Sequence, residues 1–378
     1  MRILVLANFG MGLYQFRKEL LHELISSNNE VYISLPNDEY VPKLKKLGCN
    51  YIETYVDRRG TNPLTDLKLI RFYKKTIKSI KPDIVLTYTI KPNVYGGMAC
   101  KATNTPYIAN VTGLGTSIEN KGLMQKITLT LYRIGLKTAS CVFFQNEPNK
   151  KYFADKHIAF GKTRLIPGSG VNLNQHSFED YPDKNEHIKF LFIGRIMKAK
   201  GIDELLEAAQ IIKAKYPFVQ FDLVGDSEDD YTERLSDLEN QEIIKYHGKQ
   251  DDIHSFIKKA HATILPSYHE GTANVLLESA SSGRPVLASR VTGCRETFDE
   301  NVSGFGFEVR NVESLVETVI KFINLSHKQK KVMGLAGRRK MEREFDRNIV
   351  INAYTEEIDA LIYELEESNH GFVQKNSK

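Results

Sequence analysis

Four residues of this chain join a useful chemistry to a useful spacing. Glu270 and Glu278 stand with seven residues between them in PSYHEGTANVLLESASSGRPV, residues 266–286. Arg195 and Lys200 sit in GRIMKAKG, residues 194–201. Carboxylates repel phosphate but accept hydrogen bonds from sugar hydroxyls. Two cations beside a helix start suit a diphosphate, because charge and free backbone N–H groups act together. The implied ligand is part sugar and part phosphate. A lone glutamate is most often a solvated surface charge, so the case rests on the combination.

These side chains need a frame. HATILP (His261–Pro266) reads as a strand, HEGTAN as a loop, VLLESAS as a helix and PVLAS (Pro285–Ser289) as the next strand. That is one βαβ unit. Glu270 then sits at the carboxyl end of a strand, and Glu278 about one turn (~3.6 residues) into the helix. The spacing predicts that Asn274 caps this helix, whose first turn offers N–H groups to an anion. IKFLFIG (Ile188–Gly194), RIMKAKG and IDELLEAAQIIKAK read as strand, turn and helix, so Arg195 and Lys200 flank a second turn of the same kind. Open α/β sheets bind ligands at this edge.

The 266–286 segment resembles the signature of retaining glycosyltransferases of the family 4 type, PSxxEGxxxVLLEAxxxGxPV. The resemblance covers most of the chain. It implies a GT-B fold: two Rossmann-like, doubly wound α/β domains facing a central cleft. It implies that Glu278 binds the ribose hydroxyls of the nucleotide and Glu270 the transferred sugar. It gives Arg195 and Lys200 the donor diphosphate. By the same resemblance Lys249 and Gln250, after Gly248, lie near the base, and VSGFGFE (Val302–Glu308) matches a segment that follows the main motif. Thr272, Ala273 and Asn274 are expected to help select the sugar.

A length of 378 residues allows two domains with real cores. Hydrophobic content of 41% and charge of 26% are those of a soluble globular chain. No apolar run approaches the ~18 residues of a membrane span, and MRILVLANFG reads as a first strand rather than a leader. Cys49, Cys100, Cys141 and Cys294 lie far apart, with no Cys-x-x-Cys. They read as reduced, buried and structural, which fits the cytoplasm. No His/Cys cluster has metal spacing and no Asp-x-Asp occurs. No cofactor or metal is therefore expected, and Arg195 and Lys200 take the place of a metal at the leaving diphosphate.

The net charge of +5 is unevenly placed. Residues 1–166 hold 25 Lys and Arg against 12 Asp and Glu, a net of +13, which leaves −8 for the rest. The first half thus suits an anionic neighbour. Between Leu64 and Lys81 a helical projection puts Lys68, Arg71, Lys74, Lys75, Lys78 and Lys81 on one arc; between Leu123 and Lys137 it groups Lys126, Arg133 and Lys137. Either helix is an ordinary solvated face or a contact for an anionic membrane surface or a pyrophosphate-linked lipid. Nucleic acid is disfavoured, because aromatics do not interleave with the basic residues.

RILVLAN (Arg2–Asn8) reads as the first strand, followed by FGMG and a helix. Gly10 and Gly12 are candidate donor contacts through backbone N–H, though they form no full GxGxxG. Tyr88–Gly97 and Asn110–Gly122 read as polar loops after strands. They resemble loops of the capsule and surface-polysaccharide branch. Other branches place a donor-binding His near the end of the fifth strand, and Asn110–Thr112 has none. Lys91, Asn110 and Thr112 are the candidate acceptor-side groups.

Leu165–Phe178 is rich in Gly, Pro, Asn and Ser, a linker signal. The expected organisation is an acceptor-binding domain over 1–168, a linker over 169–187 and a nucleotide-sugar domain over 188–345. A terminal helix over 346–367 returns to the first domain, and a disordered tail occupies 368–378. The expected enzyme is a retaining glycosyltransferase at the cytoplasmic face of the cell membrane. It moves a sugar from a UDP-sugar, a UDP-N-acetylhexosamine among the candidates, to a polyprenyl-diphosphate-linked glycan in surface polysaccharide assembly. An epimerase or hydrolase of the same architecture is the alternative. A dinucleotide-dependent dehydrogenase lacks its GxGxxG, and a non-catalytic sugar-binding module fits Arg195, Lys200 and Glu278 poorly.

Overall fold

The computed structural model describes residues 1–57, 60, 62–113, 122–184, 187–227 and 230–375. It divides into two units, Met1–Ser169 with Asn348–Lys378, and Gly170–Arg347. The first contains a parallel sheet of β1 (Arg2–Leu6), β2 (Glu30–Leu35), β3 (Asn50–Glu53), β4 (Ile84–Tyr88), β5 (Tyr107–Val111), β6 (Cys141–Phe144) and β7 (Lys162–Leu165). The strand order is β3-β2-β1-β4-β5-β6-β7.

The sequence of β1 shows why this sheet is covered twice. Ile3 and Val5 enter one apolar layer with Leu20, Leu21 and Leu24 of the helix Gly10–Ser26. Leu4 and Leu6 enter the other with Leu69, Tyr73 and Ile77 of the helix Pro63–Ile80. A strand covered on both faces must be apolar on both, so it reads as a continuous run. All four cysteines are free thiols and buried.

The stretch Tyr88–Gly97 is not the polar loop its composition suggests. It is helical from Ile90, passes through a π turn at Pro92–Gly96 and continues as the helix Gly97–Thr103. Pro92–Gly97 is buried, and buried backbone must satisfy itself internally. Asn93 is fully buried, donates to the Asn110 carbonyl at 2.7 Å and accepts from the Thr87 hydroxyl at 2.7 Å. Gly135 ends the helix Leu123–Gly135, and a Cβ there would lie 2.5 Å from Val94 Cα. Of the second expected loop, residues 114–121 lie outside the described residues.

The last helix, Arg347–Lys375, contributes Val350, Ala353, Tyr354 and Ile358 to the first of these layers. Its backbone continues past Glu367, where composition suggests a disordered tail. Glu357, 1% exposed, pairs with Lys162 at 2.9 Å and Arg164 at 3.4 Å, tying the helix to β7.

The second unit is a parallel sheet of β8 (Ile188–Ile193), β9 (Val219–Val224), β10 (Ile244–Tyr246), β11 (Ala262–Leu265), β12 (Val286–Ser289) and β13 (Gly304–Phe307), ordered β10-β9-β8-β11-β12-β13. Residues 170–187 belong to this unit. Arg284 explains their attachment. It is fully buried, and its guanidinium donates to the carbonyls of Glu179 at 3.0 Å, Asp180 at 2.8 Å, Ile257 at 3.1 Å and Lys258 at 2.8 Å.

Glu357 is the buried member of this pair, and its removal empties a packed site while leaving Lys162 and Arg164, 54% and 28% exposed, without this anion. Glu357→Ala is expected to cost about 2 kcal/mol in denaturant unfolding. A cost below about 1 kcal/mol would mean the pair does not fasten the last helix.

Candidate active site

The order of the second sheet reverses between β8 and β11, with β9 and β10 on one side and β12 and β13 on the other. Such a switch point opens a crevice at the carboxyl ends of the strands. Arg195 follows β8, and Glu270 follows β11. Two glycines then lock the loops together. Gly201, between the short turn Lys198–Lys200 and the helix Ile202–Lys215, has φ 69°, and a Cβ there would drive into the Pro266 carbonyl. Tyr268 N–H donates to the Ala199 carbonyl at 3.0 Å. Gly293, φ 84°, lies against the carbonyls of Glu270 and Gly271.

The result is a direct bond between two of the predicted residues. Lys200 Nζ donates to Glu270 Oε1, which also accepts from Ser267 Oγ at 2.7 Å. The two side chains are 20% and 14% exposed, so the charge-assisted bond is largely shielded from water. Behind it, burial first and then the nearby Glu270 push the Cys294 thiol well above its ordinary range. A thiol so raised is inert as a nucleophile.

The helix Asn274–Ser281 differs in one detail from its sequence pattern. Ala273 is the cap, Asn274 is the first helical residue, and no side chain caps the helix. The Ala273 N–H instead donates to the Gly293 carbonyl at 2.8 Å, so the Gly293 turn fixes the entry that a capping side chain would otherwise set. Glu278 follows one turn in. Burial pushes its carboxyl from 4.5 up to about 7; Arg347 pulls the other way, and no hydrogen bond contributes.

The remaining second-unit candidates share this edge. Arg195 is exposed, and Thr272 is half-buried on the loop before the helix. Lys249 and Gln250 are exposed after β10, where Gly248 has φ 61° and accepts from Gly225 N–H at 2.9 Å.

Three first-unit candidates are committed elsewhere. Gly10 N–H donates to the Asp38 carboxylate at 2.5 Å, so a carboxylate already occupies the start of the helix Gly10–Ser26 where a donor phosphate was expected. Gly12 lies in that first turn, packed by the Phe9 ring. Lys91 is paired with Asp66 at 2.7 Å and is 11% exposed. Asn110 is buried; its amide donates to the Thr87 carbonyl at 3.0 Å and accepts from the Tyr354 hydroxyl. Both ends of Asn110 are used within the first unit. Thr112 is half-buried. Sequence reasoning missed Ser267, Tyr268, Gly293 and Arg347. Glycines at 201 and 293, each following a charged or polar turn, were the available signal.

Comparisons with known proteins decide the family. Residues 174–340 match the model for glycosyl transferases group 1, and residues 2–146 match the model for glycosyl transferase 4-like proteins. The chain belongs to these glycosyltransferases. An N,N'-diacetylbacillosaminyl-diphospho-undecaprenol alpha-1,3-N-acetylgalactosaminyltransferase of Campylobacter jejuni is 28% identical over 96% of this chain and 99% of its own. The capsular polysaccharide biosynthesis glycosyltransferase CapM of Staphylococcus aureus is 26% identical over 75% and 77%. A glycosyltransferase from Rickettsia africae shares the fold with a TM-score of 0.78, 21% identity and coverage of 96% and 98%. HepE of Anabaena, solved with UDP and glucose, shares it with a TM-score of 0.76, 17% identity and coverage of 95% and 100%.

The raised Glu278 carboxyl gives this transferase a pH signature. Between pH 4.5 and about 7 the folded state keeps a proton that the unfolded chain has lost, so its stability falls as pH rises through that window. Glu278 keeps part of its surface open, so the loss is at most roughly 3 kcal/mol. Denaturant midpoints at pH 5 and pH 8 should show Glu278→Gln gaining on the parent at the higher pH. A pH-independent difference would remove the raised carboxyl from the account.

Proposed function

We propose that the enzyme transfers a sugar, with retention, from a UDP-sugar to a polyprenyl-diphosphate-linked glycan in surface polysaccharide assembly. The observation that carries this is the Lys200–Glu270 bond at the switch point of the second sheet, with Arg195 and Glu278 on the same edge. The names of the relatives support it: the Campylobacter enzyme acts on a diphospho-undecaprenol glycan, and CapM belongs to capsule biosynthesis. No observation favours an epimerase or hydrolase.

In this reading the nucleotide ribose donates to Glu278, and its hydroxyls supply the hydrogen bonds that the carboxyl lacks. The diphosphate lies between Arg195 and Lys200. Lys200 exchanges Glu270 for a phosphate oxygen, which frees Glu270 to accept from a hydroxyl of the transferred sugar. The bond from the anomeric carbon to the phosphate oxygen breaks while a bond to the acceptor oxygen forms on the same face. The acceptor proton passes to the departing phosphate. Arg195 and Lys200 stabilise the charge that develops there, in place of a metal. Glu270 positions the sugar rather than acting as a base, because the acceptor proton passes to the departing phosphate.

The acceptor reading places the first unit against anionic lipid. The helix Leu123–Gly135 leaves Leu123, Met124, Ile127 and Ile134 exposed, with exposed Lys126 and Arg133 on the neighbouring arc. An apolar stripe flanked by cations is the pattern of an interfacial helix. No helix among the described residues is long and apolar enough to cross a membrane.

Mass spectrometry of reactions with a panel of UDP-sugars, EDTA and a short polyprenyl-diphosphate glycan tests the proposal. Gain of one sugar mass on the acceptor is expected, with at least a hundredfold loss in Glu278→Ala and Arg195→Ala. Donor consumed without acceptor would replace the transfer reading, arrest by EDTA would replace the metal-free route, and a captured covalent glycosyl-enzyme would replace front-face transfer. Sedimentation with vesicles supplies the membrane test. Binding should require anionic lipid and weaken several-fold in the double variant Leu123→Ser, Ile127→Ser; binding to neutral vesicles alone would contradict the electrostatic part.

A further inference from the structure

Arg17, on the helix Gly10–Ser26, is only 4% exposed. Among the described residues no carboxylate forms an ion pair with it. Its Nη1 donates to the Phe16 carbonyl at 2.9 Å, and its Nε is buried without a partner. The rings of Tyr88 and Tyr354 lie against the guanidinium, with centroids 5.4 and 6.0 Å from Cζ, and their neutral hydroxyls hydrogen-bond with it. Ring faces attract a cation but do not neutralise it. Holding an uncompensated charge out of water is expensive, so the fold bears a cost here that packing alone does not require.

The surroundings carry two further marks. Tyr88 ends β4, and Thr89 follows with φ 71°. A β-branched residue rarely enters that region without a reason. The buried Oγ1 of Thr89 has no partner. Asn8 lies beyond the end of β1, is 7% exposed and has an unpartnered Oδ1. Leu6 of β1 pairs with Thr87 of β4, so Asn8 and Thr89 occupy matching positions past the two strand ends. The order of the first sheet reverses between these strands. The first unit thus carries a buried cation, a strained backbone and unmet polar atoms at its own switch point.

We propose that Arg17 is the receptor for the diphosphate of the acceptor, an assignment that rests on the transferase reading above. A guanidinium fork matches phosphate oxygens two at a time. The nearby helix end cannot serve instead, because Asp38 already holds the Gly10 N–H. A bare anion would leave the Asn8 and Thr89 oxygens unmet, whereas a sugar hydroxyl joined to the diphosphate meets them. The ligand class is therefore a glycosyl diphosphate, with Arg17 on the phosphates and Asn8 and Thr89 beside the first sugar.

Isothermal titration of the full chain with farnesyl diphosphate and, separately, with UDP tests this in wild type, Arg17→Lys and Arg17→Met. Farnesyl diphosphate affinity should fall at least tenfold in Arg17→Met and recover in part in Arg17→Lys. UDP affinity should change less than twofold in both, and an unfolding midpoint unchanged in circular dichroism shows that the first unit, which holds Arg17, is folded in the variants. In transfer assays the acceptor KM should rise more than kcat falls. Unchanged farnesyl diphosphate affinity and acceptor KM in a variant that still binds UDP would overturn the proposal while leaving the transferase reading intact. Loss of UDP affinity instead would assign the cation to the donor and overturn it equally. An enzyme that transfers nothing to any lipid diphosphate, yet loses farnesyl diphosphate affinity in Arg17→Met, would sink the transferase reading and keep the anion receptor.

Discussion

The bond between Lys200 and Glu270 is the interaction on which the candidate site depends. A lysine after one strand and a glutamate after another meet only if their loops are drawn together, and two backbone approaches do that. Gly201 lets its turn touch the Pro266 carbonyl, and Gly293 lets the following turn support Glu270 from beneath. Neither position tolerates a side chain. The pair is mostly shielded from water, which strengthens it and also makes it costly to leave either member alone. A ligand with both phosphate and hydroxyls satisfies both members at once. In the proposed reading a ligand with only one of these strands the other, an asymmetry that would favour sugar nucleotides over nucleotides or sugars alone.

The two sheets use one topological device in two electrostatic forms. In each, the strand order reverses beside the first strand of the unit, and polar residues follow the strands flanking the reversal. In the second unit the cation there has an internal partner, Glu270. In the first, Arg17 has aromatic rings and no anion. An internal partner lets a site fold cheaply and exchange on binding. A missing partner leaves a standing demand for an anion from outside.

The α/β architecture was legible because parallel strands covered on both faces must be apolar throughout, and RILVL, IKFLFI and ATIL are. The placement of the second-unit candidates at one sheet edge was legible because the motif around Glu270 and Glu278 fixes which strand each follows. What the sequence hid was burial. Lys91 and Asn110 look like loop groups because their neighbours are polar, yet Lys91 is taken by Asp66, Asn110 lies in β5, and Asn93 of the packed π turn bonds to both β4 and β5. Asn274 looks like a cap, but a capping side chain is dispensable where Gly293 sets the loop. Gly10 looks like a phosphate contact, but Asp38, far along the chain, already fills the place. Each miss has one cause: a partner distant in sequence took the hydrogen bond that local reading left open.

A crystal structure of the enzyme soaked with a UDP-sugar tests the central claim most directly. The account predicts ribose hydroxyls within hydrogen-bond distance of Glu278, the diphosphate on Arg195 and Lys200, and Lys200 released from Glu270. A nucleotide bound with the Lys200–Glu270 bond intact, or bound away from the switch point of the second sheet, would contradict it.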